Sequence, residues 1–238
     1  MAVLTGKHRV GSLLAGALLL AGLALAGEVW KEKPAAEWTA EEALEILTDS
    51  PWAHEKFVGF VLPLGRVGSR GGRGGGREST GAGPPPLFPP GAFGDNVGSA
   101  VYLVRWESAG PVADAFARLE ELGEQASARF QSPPPALPDD RYVITVKTTQ
   151  PPRGVPDPLA SADAGELLEN ARLKTRRGSY APLEVARSGM GASAAVHFFF
   201  PRTVDGQPIL ERRQVEFRYA AAHFTLKSKF RLEPEAIR

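Results

Sequence analysis

Two segments near the end of the chain alternate between apolar and polar residues, and this alternation constrains the fold most strongly. Residues 214–219 place Val215, Phe217 and Tyr219 at every second position, and residues 224–232 repeat the pattern. Because successive side chains of a strand point to opposite faces, each segment predicts a strand with one dry and one wet face. Such strands are typical of antiparallel sheets with one face in solvent.

Apolar runs and helical patterns complete the prediction. Further strands are indicated at residues 57–62, 100–107, 142–146 and 194–200. Thr39 and Glu42 form a capping box at the start of a first helix. Pro111 begins a second helix, which we expect to end near Phe130. Ser161 is the expected cap of a third helix. We therefore predict an α+β fold with a mostly antiparallel sheet and two or three helices on one face.

One segment, residues 63–98, lacks the side chains of a core, since its 36 residues include 12 glycines and 6 prolines. We predict a long disordered linker, stiffer where prolines follow one another. It divides residues 27–62, an N-terminal helix and strand, from the main part, 99–238, of the same domain.

Basic residues lie among the glycines of this linker. They are Arg66, Arg70, Arg73 and Arg77. The segment is either a plain linker or makes loose contact with anionic envelope material such as lipid headgroups or acidic glycans. Nucleic acid is the disfavoured alternative, because no aromatic residue lies among these arginines to stack on bases.

The first 26 residues have the three parts of a secretory signal. Lys7 and Arg9 precede an apolar stretch, residues 10–25, and Ala24 and Ala26 form a small-x-small cleavage site. We expect cleavage near Ala26 and a periplasmic or extracellular protein, the alternative being an uncleaved membrane anchor. Without Lys7 and Arg9 the chain has 26 basic and 27 acidic residues, so nothing in its net charge favours nucleic acid.

Residue types and spacings favour no catalytic chemistry. The chain has no cysteine, which excludes disulfides, thiolate zinc sites and cysteine nucleophiles. The remaining histidines, His54, His197 and His223, lie apart without metal-ligand spacing, and no G-x-S-x-G or S-x-x-K motif follows the signal. We predict no cofactor, metal or catalytic residue, although a triad assembled only in space stays open.

Four residues are the candidate contacts with a ligand or partner, namely the tryptophans Trp52 and Trp106 and the charged residues Arg105 and Glu107. Trp52 follows the first helix, and Trp106 lies between Arg105 and Glu107 at the end of a strand. A tryptophan in such a position either lines a groove for sugars or peptides or fills the edge of the core, with its N–H bonded to a nearby acceptor.

Four short segments also resemble a known group of proteins. They are residues 47–53 (LTDSPWA), 105–109 (RWESA), 198–202 (FFFPR) and 215–217 (VEF). The chain resembles uncharacterised exported bacterial proteins, chiefly from Acidobacteria, which carry SPWA-like and RWESA-like motifs on either side of a glycine-rich insert. The resemblance implies export and a shared fold, and it carries over no catalytic residue.

These observations together favour a non-catalytic, envelope-associated binding or interaction module. Its wet sheet face or an edge strand would hold an unknown protein or envelope polymer, with at most loose contact to a membrane surface. The alternative is a hydrolase acting on cell-envelope material, which requires Arg105, Glu107 or His54 to converge in a cleft.

Overall fold

Antiparallel strand pairing organises the fold. A computed structural model describes residues 29–61, 97–123, 137–153, 155–189, 194–211, 214–221 and 224–232. The strands are β1 Ala53–Val61, β2 Val97–Trp106, β3 Arg141–Gln150, β4 Ala171–Lys174, β5 Ser179–Tyr180, β6 Glu184–Ser188, β7 Ala195–Pro201, β8 Thr203–Val204, β9 Gln207–Pro208, β10 Gln214–Ala221 and β11 Phe224–Arg231. The helices are α1 Val29–Glu32, α2 Ala40–Thr48, α3 Gly110–Glu121, α4 Pro158–Ser161 and α5 Ala164–Asn170, with a 3-10 turn at Ala35–Glu37.

The strands form two larger sheets and one small hairpin. The first sheet has the order β1-β2-β3-β7-β6, the second has β11-β10-β4-β5, and β8 pairs with β9. Every pairing between these strands is antiparallel. The α+β class and the mostly antiparallel pairing are therefore as predicted, and β11 alternates buried and exposed residues along its whole length.

Aromatic rings fill the space between the two larger sheets. The ring centroids of Trp106 and Phe230 are 5.5 Å apart, and those of Phe198 and Phe217 are 5.2 Å apart. The dry faces of β10 and β11 thus meet the other sheet, which corrects the expectation of one sheet with helices on one face. Alternation predicts that a strand has a dry face, but it does not identify the element that covers that face.

The helices pack against the strands of the two larger sheets and against one another. Helices α2 and α3 contact each other, α2 also contacts β1 and β2, and α5 contacts β10 and β6. The predicted capping box of α2 is confirmed, because the Thr39 side chain accepts from the Glu42 N–H and the Glu42 carboxylate accepts from the Thr39 N–H. Among the described residues, no helix has the length and apolar character needed to cross a membrane.

Two predicted helix ends are wrong. Helix α3 ends at Glu121 rather than near Phe130, because Gly123 adopts a φ of +66° and its N–H bonds to the Glu120 carbonyl instead of continuing the helix. Ser161 is the last residue of α4 and caps nothing. The caps are carboxylates, Asp157 for α4 and Asp163 for α5.

The glycine-rich segment joins two neighbouring antiparallel strands. Val61 at the end of β1 pairs with Val97 at the start of β2, so the strand begins two residues inside the predicted linker. The linker boundary at residue 98 is wrong because ladder pairing uses backbone groups and needs no apolar side chain. A Cβ on Gly98 would lie 2.5 Å from the ring of Phe60, so glycine leaves room for that ring. Residues 62–96, including the four linker arginines, and the predicted signal peptide, 1–26, lie outside the described residues.

The aromatic layer predicts unequal effects of two Phe→Ala substitutions. Phe217 is fully buried against Phe198 and Phe200, whereas 63% of Phe57 is exposed. We expect Phe217→Ala to lower the free energy of unfolding by about 3–5 kcal/mol. The matched variant Phe57→Ala should change it by less than about 0.5 kcal/mol. Urea denaturation measures both values, and equal effects would contradict the arrangement of the core.

Candidate functional site

The solvent face of the second sheet is strongly basic. Its cations come from β4, β10 and β11, and we call this surface the basic sheet face: Arg172, Lys174, Arg218, Lys227, Lys229 and Arg231. The only acidic side chain that the described parts of these strands add to the same face is Glu216. The pattern follows from period-two alternation, because the dry positions between these residues hold Leu173, Val215, Phe217, Leu226 and Phe230.

Cross-strand register places like charges side by side. Arg218 of β10 pairs with Arg172 of β4 on one side and with Lys227 of β11 on the other. Side chains in such positions are about 5 Å apart at Cβ, and like charges there oppose folding. The neighbouring row holds Lys174, Glu216 and Lys229, where the acid lies between two cations.

These cations have little internal compensation. Among the described residues, the ion pairs join other side chains, and no cation of the basic sheet face takes part in one. The buried Arg218 Nε has no hydrogen-bond partner among these residues either. Arg172 is the exception, since its Nη1 donates to backbone carbonyls at the end of α5. The face therefore carries positive charge that an external anion would neutralise.

A groove adjoins one end of the basic sheet face. Its volume is about 860 Å³, and it lies between the residues before β1 and the ends of β4, β10 and β11. Its charged lining consists of Asp49, Lys174, Arg176, Glu216, Lys229 and Arg231, so cations outnumber acids. His54 also lines it and stacks on the Phe230 ring at 5.6 Å between centroids. Burial and the nearby Lys56 lower the pKa of His54, while Asp49 acts in the opposite direction.

The two candidate tryptophans lie in the interior. Trp52 and Trp106 have no exposed surface, so neither lines an open groove. Trp52 packs edge-on against Trp30, and Trp106 packs against Tyr142 and Phe230. The expected local acceptor is not found among the described residues, where neither indole N–H has a hydrogen-bond partner. Both rings therefore act through packing.

Arg105 and Glu107 form a buried ion pair. Glu107 Oε1 accepts from Arg105 Nε at 2.9 Å and from Nη2 at 2.7 Å, while its Oε2 has no hydrogen-bond partner in the described part of the chain. The guanidinium lies 4.7 Å from the centre of the Phe116 ring of α3. His54 does not join this pair, because it lies in the groove on the aromatic side of the first sheet, whereas Arg105 alternates with Val104 and Trp106 and faces away.

Other polar side chains share the face of Arg105. His197 of β7 is buried between Thr145 of β3, 2.7 Å from its Nδ1, and Ser188 of β6, 2.7 Å from its Nε2. Burial lowers the pKa of His197, while Glu107 raises it and Arg105 lowers it further. Within the residues that the structure describes, the Nζ of buried Lys147 has no hydrogen-bond partner, and burial together with Arg105 lowers the pKa of Lys147.

The sequence analysis identified neither the basic sheet face nor the contact between Ser188 and His197, and the reasons differ. The alternation of β10 and β11 identifies the positions that face solvent. The positive charge of the residues at these positions was an available signal for a basic face: Arg218, Lys227, Lys229 and Arg231. No sequence pattern indicates the contact between Ser188 and His197, because that contact depends on the register of β6 against β7.

Comparison of the chain with family models, with curated proteins and with solved structures finds no match. Among the described residues, no cluster of three or more His, Asp or Glu side chains is arranged to hold a metal ion. The function is therefore argued from the basic sheet face, the groove and the buried polar residues.

The buried ion pair predicts a non-additive pair of substitutions. Arg105→Met should lower the free energy of unfolding by about 3–5 kcal/mol, because it leaves the Glu107 carboxylate buried without a cation. Adding Glu107→Met should restore part of this loss, since the double variant has no buried charge at the site. Urea denaturation of both single variants and the double variant tests this, and strictly additive losses would contradict it.

The buried imidazole of His197 predicts a dependence of stability on pH. Because its pKa in the folded state is lowered from 6.5, the unfolded chain binds a proton more readily as the pH falls through 6.5 toward the folded value. Stability contributed by the neutral ring is therefore present above 6.5 and lost below it. His197→Gln should lose less stability than wild type between pH 7.5 and pH 5.5 in urea denaturation.

His54→Gln provides the comparison, because the pKa of His54 is lowered as well. Each variant should remove only its own share of the pH dependence. A His197→Gln protein whose stability falls with pH as steeply as wild type would show that His197 is protonated as easily in the folded as in the unfolded chain.

Proposed function

We propose that this protein is an exported, envelope-associated binding module that holds an acidic polysaccharide on the basic sheet face and in the adjoining groove. The observation that carries this proposal is the row Arg172, Arg218 and Lys227, three cations on neighbouring strands without an acid among them. The apolar stretch at residues 10–25 supports export.

Physical reasoning connects this row with an anionic ligand. Like charges opposite one another reduce the stability of the free sheet, so a bound polyanion gains energy from removing their repulsion. Lys227, Lys229 and Arg231 are exposed and stay hydrated, which favours exchangeable, salt-sensitive contacts over a permanent internal ion pair.

The surroundings favour a polymer over a bilayer. Proteins that insert into a membrane surface present apolar side chains beside their basic residues. The large apolar side chains that are exposed among the described residues are Phe57, Leu122, Leu183 and Val204, and none belongs to the strands of the basic sheet face. The groove of about 860 Å³ continues the face and extends the surface along which a chain-like ligand could lie.

The same face is poorly suited to nucleic acid. Single-stranded nucleic acids bind through aromatic rings on which the bases stack, together with cations for the phosphates. The aromatic residues of β10 and β11, namely Phe217, Tyr219, Phe224 and Phe230, all face the core. This supports a ligand recognised by its charge and shape.

Polygalacturonate, a uronic-acid polymer, provides a direct test of the binding proposal. We expect binding in affinity electrophoresis or titration calorimetry at 20 mM NaCl, and much weaker binding at 300 mM NaCl because salt screens exposed charges. Neutral dextran should not bind. Equal binding of dextran, or the absence of polygalacturonate binding at low salt, would overturn the proposal.

Two matched charge reversals locate the contact. Arg231→Glu changes an exposed arginine of the basic sheet face, and Arg153→Glu changes an exposed arginine outside it. Each reversal alters two units of charge, so Arg231→Glu should weaken binding roughly 5- to 30-fold at about 0.5–1 kcal/mol per unit. Arg153→Glu should bind nearly as wild type, and equal losses in both variants would place binding elsewhere.

A further inference from the structure

Three side chains form a hydrogen-bonded chain across the outer face of the first sheet. Ser188 Oγ lies 2.7 Å from His197 Nε2, and His197 Nδ1 lies 2.7 Å from Thr145 Oγ1. Strand register produces this order, because Thr145 pairs with His197, and His197 pairs with Ala186, two residues before Ser188. A hydroxyl, an imidazole and an orienting group in sequence form the arrangement by which enzymes activate a serine.

We propose that Ser188 and His197 form an acyl-transfer site that cleaves carboxylic esters, with Ser188 as nucleophile and His197 as general base. Thr145 is the positioning residue, since its hydroxyl contacts Nδ1 and holds the orientation of the ring. This activity goes beyond ligand binding and uses a different face of the molecule from the basic sheet face.

The environment of His197 suits a general base. The residue is 1% exposed, and burial lowers the pKa of the imidazole, which favours the neutral ring whose Nε2 accepts a proton. Glu107 is the nearby charge that favours the imidazolium formed during reaction, and Arg105 opposes it. This location, beside a buried ion pair, is typical of sites where protonation is tuned.

The proposed reaction has two balanced stages. Ser188 Oγ attacks the ester carbonyl carbon, its proton passes to His197 Nε2, and the carbonyl electron pair moves to oxygen. The oxyanion then reforms the carbonyl, the bond to the alcohol oxygen breaks, and that oxygen takes the proton from His197. Water repeats the attack on the acyl–Ser188 ester, transferring a proton through His197 and releasing the carboxylic acid with free Ser188.

In this proposal the substrate approaches Ser188 from the edge of the first sheet. β6 is the last strand of this sheet, and Ser188 at its end is partly exposed. In an edge strand, every second N–H is unused by the ladder, so such groups are candidates to stabilise the oxyanion. Gly189 follows with a φ of +71° and places no side chain beside the nucleophile.

The third group of the chain favours esters over amides. In serine proteases a carboxylate stabilises the imidazolium, whereas here the hydroxyl of Thr145 contacts Nδ1. A neutral partner stabilises the imidazolium less, and we therefore expect activity on esters, whose alkoxide leaving groups require less help from a strong general acid than amines do.

4-Nitrophenyl acetate and a fluorophosphonate probe test the proposal on the purified full chain. We expect ester hydrolysis above the rate without protein, and covalent labelling that mass spectrometry assigns to Ser188. Ser188→Ala should reduce the hydrolysis rate roughly 10²-fold or more and abolish the labelling. The matched control Ser179→Ala, at an exposed serine of β5, should retain both.

Labelling of another residue, or equal hydrolysis by wild type and Ser188→Ala, would overturn the proposal, as would the absence of both activities. His197→Gln supplies a second measurement, because it should slow hydrolysis and labelling while Ser188 itself is present. Circular dichroism of each variant identifies any loss that arises from unfolding. Binding of polygalacturonate is measured separately and through other residues, so either proposal can fail without the other.

Discussion

The contact between aromatic rings of the two larger sheets determines where every polar group of interest lies. Trp106 and Phe198 from the first sheet meet Phe230 and Phe217 from the second. Because side chains alternate along a strand, the residues between these rings must point away from the shared core. The basic residues therefore lie on the outer face of the second sheet. The Arg105–Glu107 pair and the hydrogen-bonded residues Ser188, His197 and Thr145 lie on the outer face of the first sheet.

The two outer faces differ in how far their charged side chains are exposed to water. On the second sheet most of the cations, namely Lys174, Lys227, Lys229 and Arg231, are exposed, and water reduces their repulsion. On the first sheet Arg105 and Glu107 are almost fully buried and pair with each other, and burial is the main cause that lowers the pKa of His197 on the same face. The first arrangement supports the proposed reversible binding, and the second supports the proposed role of His197 as a proton acceptor.

Local patterns predicted much of the secondary structure but not its boundaries or its partners. The Thr39–Glu42 capping box and the alternation of β10 and β11 depend on neighbours within a few residues, and they are confirmed. The predicted end of α3 is wrong because it depends on the backbone conformation of Gly123, which has a positive φ. The predicted start of β2 is wrong because it depends on pairing with a distant strand, in which Gly98 lies opposite Phe60. Arg105 and Glu107 were recognised as notable, yet their burial as a pair required the fold.

The sequence by itself determined the α+β class, the antiparallel character of the last strands and the presence of one wet face on each of them, because period-two alternation is a local property. Only the tertiary structure decided that the dry faces meet another sheet, that three cations lie in one row, and that Ser188 reaches His197. Each of these depends on which strands pair and in which register, and strand pairing joins residues that the sequence separates.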